Sequence, residues 1–407
     1  MSKQYDLIVV GGGPAGSSAA WRAASGGARV LCVDKAEFPR EKACGDGLTP
    51  RAVAHIANMG LQSELAGFYK IDSVKFFGNS TWQMRCPRRP GLPDYARVAS
   101  RLELDEMLLN HAAKRGAEVW QSAEVVRPVM DDGRVTGVDV RRANNREERV
   151  GADIVIAADG AHSPMKKAMA LKSRVAGTIA IAARAEMDCD RPEDPSFEIH
   201  MPLSFRSHRI PGYGWVFPMG GRRVNIGVGY TTAYRRWKDI NIVGLLEDFM
   251  RELPAEWKLP QAAQLRKARA IQAWRLPMGF NSWPPSRPGL LLAGDALGAA
   301  KPFTGAGISK ALESGILAAE TAVHALGSAN PADLSRYDKQ LRSRWAFQYR
   351  MARIGHSIGG YPYMVGTAFA LFDHHPFRWA LVRALYGREG GRCYTNEFSD
   401  ARLDSYV

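Results

Sequence analysis

Cysteine is scarce in this 407-residue chain, and its five thiols are scattered. Cys32, Cys44, Cys86, Cys189 and Cys393 form no C-x-x-C pair and no zinc spacing, so no metal site and no disulfide framework is expected. Nucleic-acid modules are lacking too, and with them the expectation of a nucleic-acid partner. There is no tandem repeat and no long polar tract. Acid is the charge in short supply: 41 Asp and Glu against 55 Lys and Arg leave a net charge of +14. That excess suits anionic lipid, an anionic cofactor or substrate, or a plain solvated face. No signal or transit segment precedes the first strand-like run, which together with reduced thiols reads as cytoplasmic.

Long apolar runs are also few. The best candidate, Ile354 to Phe372, has no Asp, Glu, Lys or Arg. Gly355, His356, Gly359, Gly360, Pro362 and Gly366 make it a poor membrane-spanning helix. Arg342, Arg344, Arg350 and Arg353 precede it, and Arg378 and Arg383 follow. Two readings stay open: peripheral contact with an anionic membrane on its inner face, or a core helix whose apolar side packs inside.

What is present begins at once. Tyr5 to Val10 reads as a buried strand, Gly11 to Gly16 as a glycine turn, and Ser17 to Ala24 as a helix. Gly11, Gly13 and Gly16 stand at G-x-G-x-x-G spacing, and this is the chain's one such fingerprint. The next strand, Arg29 to Val33, ends on Asp34, where an acid that binds ribose is expected. Strand, turn, helix and acid together predict a dinucleotide on the helix N-terminus. Gly11, Gly13, Ala15, Gly16, Asp34 and Lys35 are its expected contacts.

Further on, Arg51 to Leu61 reads as a helix. Ser73 to Phe77 and Thr81 to Arg85 read as strands joined at Gly78-Asn79. Ser100 to Arg115 reads as a helix with a capping box from Ser100 and Glu103. Glu118 to Trp120, Glu124 to Pro128 and Arg134 to Arg141 read as a meander with a hairpin at Asp132-Gly133. Asp153 to Ala157 is a buried strand that meets Asp159-Gly160. From Val175 to Ala273 the texture is strand-like, with one helix, Gly244 to Leu253. Leu290 to Ala293 then leads into Gly294-Asp295 and a helix from Gly305 to Leu326.

Gly11-x-Gly13-x-x-Gly16, Asp159-Gly160 and Gly294-Asp295, in that order, resemble the flavoproteins of the para-hydroxybenzoate hydroxylase fold. The resemblance implies an α/β chain: a Rossmann-type FAD-binding domain, an inserted strand-rich substrate domain and a helical C-terminal region. The expected boundaries are 1–72, 99–172 and 285–330 for the FAD domain, 73–98 and 173–284 for the substrate domain, and 331–407 for the C-terminal region. It also implies that Asp295 hydrogen-bonds the FAD ribityl or ribose and that Arg101 lies near phosphate. Gly305 and Gly307 let backbone N–H groups approach a ligand at a helix N-terminus, which favours the negative charge of a reduced flavin. Asp159, Gly160, Gly294, Pro302 and Ile308 join this expected FAD set.

Cys44-Gly45-Asp46-Gly47, Pro211 to Pro218 and Asn225 to Gly229 resemble the geranylgeranyl reductase family. The run from Phe38 to Val53 looks like its bacterial menaquinone reductase branch. This implies an FAD-dependent enzyme that saturates a double bond of a polyprenyl group. Cys44 and Gly45 then lie near flavin, Cys44, Tyr213 and Trp215 act at the reacting bond, and Tyr213, Trp215 and Phe217 wall an apolar prenyl substrate. Cys44 is either proton donor or spacer, and the electron donor is NAD(P)H or reduced ferredoxin. Met219 stands where the family often has lysine, and nothing after Pro331 matches. The rivals are an aromatic monooxygenase, a flavin halogenase and a prenyl-lipid carrier without turnover. Halogenases of this scaffold read W-x-W-x-I-P where this chain has Tyr213 and Phe217.

Overall fold

Strands covered on both faces must be apolar along nearly their whole length. Tyr5–Val10, Val30–Val33 and Leu290–Leu292 meet that demand, and all but the first residues are buried. A computed structural model gives the structure over residues 5–78, 81–86, 88–169, 179–205, 208–280, 282–302, 304–328 and 333–359. These strands form a parallel sheet in the order Leu290–Leu292, Glu147–Ala157, Tyr5–Val10, Val30–Val33, Glu118–Trp120. Glu118–Trp120 therefore does not belong to the expected meander; it is the parallel edge strand beside Val30–Val33. The meander is made instead by Ala123–Asp131, Arg134–Arg142 and the first half of Glu147–Ala157. Its hairpin turns at Asp132 and Gly133, both at positive φ, as a two-residue loop requires. The second half of Glu147–Ala157 leaves the meander and enters the parallel sheet.

Helices Pro14–Ser25 and Ile308–Leu326 cover this sheet and pack on each other through small residues. A Cβ on Gly315 would lie 2.1 Å from the Ala15 carbonyl oxygen, so only glycine permits this approach. Arg101–Lys114 is capped by Ser100, whose Oγ accepts from Glu103 N at 3.3 Å. The expected helix from Gly305 begins later, at Ile308, because Gly305 sits at φ 62° and cannot continue a right-handed turn.

The second sheet has seven strands: Gln272–Pro277, Ile179–Asp188, Arg223–Thr231, Gly212–Gly220, Ser196–His200, Ser73–Phe77, Trp82–Arg85. Segments near residue 75 and residues 179–277 thus meet in one layer. Its outer face packs on helix Ile242–Glu252: a Cβ on Gly214 would lie 2.6 Å from the Phe249 ring. Two short helical turns and Ala262–Lys267 join that helix, more than the single one expected. The last described element, Ser335–Gly359, docks through Tyr337, whose hydroxyl donates to Leu292 O at 2.8 Å, and through Trp345 stacked on Phe280. Of the apolar run Ile354 to Phe372, residues 354–359 end this helix; the rest, with Asn79 and Cys393, lies outside the described residues. Among the described residues no helix is long and apolar enough to cross a membrane.

Candidate active site

One cavity of about 1760 Å³ runs from the glycine turn to the inner face of the second sheet. Ordinary ligand pockets hold about 300–1,000 Å³, so there is room for a large cofactor and a second molecule.

The cofactor end is built on the glycine turn. Gly11 sits at φ 101°, and a Cβ there would lie 2.5 Å from the Ala158 carbonyl oxygen. Gly13 and Ala15 line the cavity. Gly16 does not; a Cβ on it would lie 1.7 Å from Gly11 O, so it serves helix–strand packing behind the turn. Asp34 accepts from Gly12 N at 2.7 Å and from Ala36 N at 2.8 Å. Its carboxylate keeps further lone pairs on the cavity wall, beside Lys35.

Arg101 donates to Asp105 through Nε at 2.8 Å and Nη2 at 2.5 Å. Asp105 also pairs with Arg40 at 3.0 Å, so one buried carboxylate aims two guanidinium groups at the turn. Arg40 Nη2 is 3.3 Å from where a Gly13 Cβ would sit, and Arg40 Nη1 is buried without a hydrogen-bond partner among the described residues. Neither Arg40 nor Asp105 was expected from sequence, although Phe38-Pro39-Arg40 flagged the segment.

Asp159 accepts from Met165 N at 3.1 Å, while its Oδ1 is buried without a hydrogen-bond partner among the described residues. Burial pushes its carboxyl up to about 6. Gly294 N donates to Ser314 Oγ at 3.0 Å, and a Cβ on Gly294 would meet Ala15 Cβ at 2.8 Å. Asp295, Pro302, Gly305, Gly307 and Ile308 line the same wall, with Gly160 opposite. Among the described residues no side chain caps helix Pro14–Ser25 or helix Ile308–Leu326, so both N-termini offer N–H groups to a ligand. Uncapped helices, glycine cradles, one unpartnered guanidinium nitrogen of Arg40 and one unpartnered carboxylate oxygen of Asp159 among the described residues fit a dinucleotide such as FAD.

The other end is apolar. Alternation on Gly212–Gly220 puts Tyr213, Trp215 and Phe217 on the cavity side and Gly214 and Val216 on the helix side. Register places Gly229, Gly227 and Asn225 beside the three rings. A Cβ on Gly227 would lie 2.1 Å from Trp215 Cζ2; the glycine is the floor on which the indole lies. Phe197, Ile199, Val74 and Phe76 extend this wall across two more strands. Tyr213 donates its hydroxyl to Thr304 O at 2.6 Å, and burial pushes it up to about 12. Its proton is thus committed to a carbonyl, which tethers the ring to the loop before helix Ile308–Leu326.

Cys44 and Gly45 lie where the two ends meet. A Cβ on Gly45 would sit 3.3 Å from Trp215 Nε1, so the loop rests on the indole. Burial first, then Asp46, pushes the Cys44 thiol up, which keeps it protonated at neutral pH. The Asn225 amide ties the loop down: Nδ2 donates to Cys44 O at 2.9 Å and to Asp46 Oδ2 at 2.8 Å, and Oδ1 accepts from Trp215 Nε1 at 2.9 Å.

Residues 4–349 match the FAD binding domain family. A menaquinone reductase of Mycobacterium tuberculosis is 36% identical over 77% of this chain and 76% of the relative. The digeranylgeranylglycerophospholipid reductase 1 of Methanopyrus kandleri is 31% identical over 85% of this chain and 87% of its own length. Among solved structures, a geranylgeranyl bacteriochlorophyll reductase-like protein of Thermoplasma acidophilum superposes with a TM-score of 0.74 at 24% identity, covering 94% and 99% of the two chains.

Proposed function

We infer the function from family and site together: this chain belongs to the FAD binding domain family and, within it, to the group of the menaquinone and digeranylgeranylglycerophospholipid reductases. It is an FAD-dependent oxidoreductase that saturates a carbon–carbon double bond of a polyprenyl chain. The observation that carries this reading is the aromatic wall of Tyr213, Trp215 and Phe217 opening into the same cavity as the dinucleotide cradle.

Gly11, Gly13, Arg40 and Arg101 would hold the pyrophosphate, Asp34 the ribose, and Asp295 with the Ile308 helix terminus the flavin end. Bound reduced FAD supplies the hydride. The protein supplies alignment, which an unactivated alkene needs above all. The aromatic wall fixes the chain, and the Cys44 loop sits beside the reacting bond with a protonated thiol. Near the cavity mouth, helix Ser335–Gly359 exposes Phe347, Met351 and Ile354 at helical spacing, with Arg350 among them. Phe347 and Met351 also line the cavity. This apolar stripe is the entry for a lipid-borne substrate and contacts an anionic membrane surface. Either NAD(P)H or reduced ferredoxin serves as donor by transient contact, since the chain has one dinucleotide fingerprint.

The test is anaerobic. The protein-bound flavin is reduced with dithionite and mixed with menaquinone-type or geranylgeranyl compounds. Reoxidation with a product gaining two hydrogens per saturated bond is expected. Reoxidation that needs oxygen and hydroxylates the substrate would instead make the protein a monooxygenase.

A further inference from the structure

The cavity side of the aromatic sheet is apolar except at one corner. There, register brings Asn225 opposite Glu186, with Arg184 next along the same strand face. The Cys44–Gly47 loop covers this corner with Asp46, whose side chain has no exposure to solvent. Asp46 Oδ2 accepts from Asn225, while Oδ1 is buried without a hydrogen-bond partner among the described residues. Asp46 N donates to Cys44 Sγ at 3.3 Å. The wall and cradle described above leave this carboxyl unused.

We propose that Asp46 is a proton store that serves Cys44, a role that rests on the prenyl reduction inferred above. A buried carboxylate with one oxygen unpaired is costly; a protonated one is not. The groups facing Asp46 are Arg184 and Glu186 on strand Ile179–Asp188, Arg101 on helix Arg101–Lys114, and Cys44 on its own loop. Arg184 is shared with Glu186 at 2.8 Å and Glu41 at 3.6 Å, which divides its charge. Burial prevails and pushes Asp46 up to about 7 against Arg184 and Arg101, with Glu186 adding to the rise. Below about pH 7 the pair is therefore carboxylic acid and thiol, a neutral acid kept in an apolar site.

Saturating one double bond adds a hydride and a proton. The Cys44 S–H bond breaks and its proton forms the second new C–H bond. The thiolate, transiently paired with Arg101, takes the Asp46 proton through one bridging water, because the direct contact between the two residues is made by the Asp46 backbone N, and the Asp46 carboxylate regains a proton from water in the cavity. Neither side chain changes oxidation state.

Asp46→Asn tests this without turnover. Asn still accepts from Asn225 and tolerates the φ of 60° found here. Infrared difference spectra between pH 5 and pH 9 should show a carboxylic acid C=O band lost near pH 7, absent in the variant. Cys44 alkylation by iodoacetamide, with Cys44→Ser as blank, should be severalfold faster in Asp46→Asn at pH 8, since removing the neighbouring charge lowers the thiol. In the holoenzyme the substitution should remove the limb near pH 7 from the turnover profile. No titrating band, or identical alkylation profiles, would overturn the proposal. Both turnover-free readouts stand if prenyl reduction fails, so the two failures are distinguishable.

Discussion

Tyr213 donates a hydrogen bond from its hydroxyl to the carbonyl of Thr304 at 2.6 Å, and so ties the aromatic wall to the loop that leads into helix Ile308–Leu326. Tyr213→Phe keeps the ring and removes the tether. A lost hydrogen bond of this kind costs about 0.5–1.5 kcal/mol, so FAD affinity should fall by about tenfold at most. The KM for a prenyl substrate should stay unchanged. Tyr213→Ala should raise that KM as well. Fluorescence titration of the apoprotein with FAD, beside steady-state kinetics, separates the two effects.

Gly227 and Gly229 stand two apart on one strand and have opposite expectations. Gly227→Ala drives a methyl into the Trp215 ring and should cost about 1–3 kcal/mol, the usual penalty of overpacking. Gly229→Ala meets nothing closer than Ala182 Cβ at 3.5 Å, and should hold or raise stability. Urea unfolding of both variants decides; equal losses would mean that the indole does not rest on Gly227.

These contrasts show what could and could not be read before the fold was known. The glycine turn, the acid Asp34, the Gly294-Asp295 element and the alternating aromatics were readable because each depends on local backbone geometry. The Glu118–Trp120 strand was misread because its three residues carry no sign of whether the partner runs parallel. Arg40, Asp105 and Asn225 went unassigned because their roles arise from pairing across the chain. Asp105 aims Arg40 over 65 residues, and Asn225 reaches back 181 residues to Cys44. No spacing rule encodes such pairs.

Arg40 supplies the next prediction. Its Nη1 has no protein partner among the described residues and lies beside the cradle. Hydrogen bonds to charged groups are worth about 1.5–3 kcal/mol, so Arg40→Met should weaken FAD binding by about 10- to 100-fold. The loss should shrink as salt rises. An unchanged Kd would remove Arg40 from the pyrophosphate site.

Stability should carry the mark of Asp46. Its carboxyl holds a proton more tightly folded, at about 7, than unfolded, near 3.9. A raised carboxyl gives stability that is full below the unfolded value and is lost as pH rises through the folded one. Asp46→Asn cannot ionise and escapes that loss. The Tm of the variant minus that of the unaltered protein should therefore grow from pH 5 to pH 8. A difference that is flat across this window would show that Asp46 stays ionised throughout.

The exposed stripe on helix Ser335–Gly359 gives the last. Phe347 is 77% exposed, Met351 50% and Ile354 46%, an unusual price for a helix unless the face meets something apolar. Burying one such side chain is worth about 1.5–3 kcal/mol. Replacing all three by Ser should lower binding to anionic vesicles by at least about tenfold, even with shallow insertion. Neutral vesicles should bind the unaltered protein more weakly, because Arg350 and the overall +14 charge favour an anionic surface. FAD content should not change, since none of the three lies at the cradle. Cosedimentation of the full chain with both vesicle types measures this. If the triple variant binds as well as the unaltered protein, the stripe is covered by something other than lipid, and residues 360–407 become the segment to truncate next.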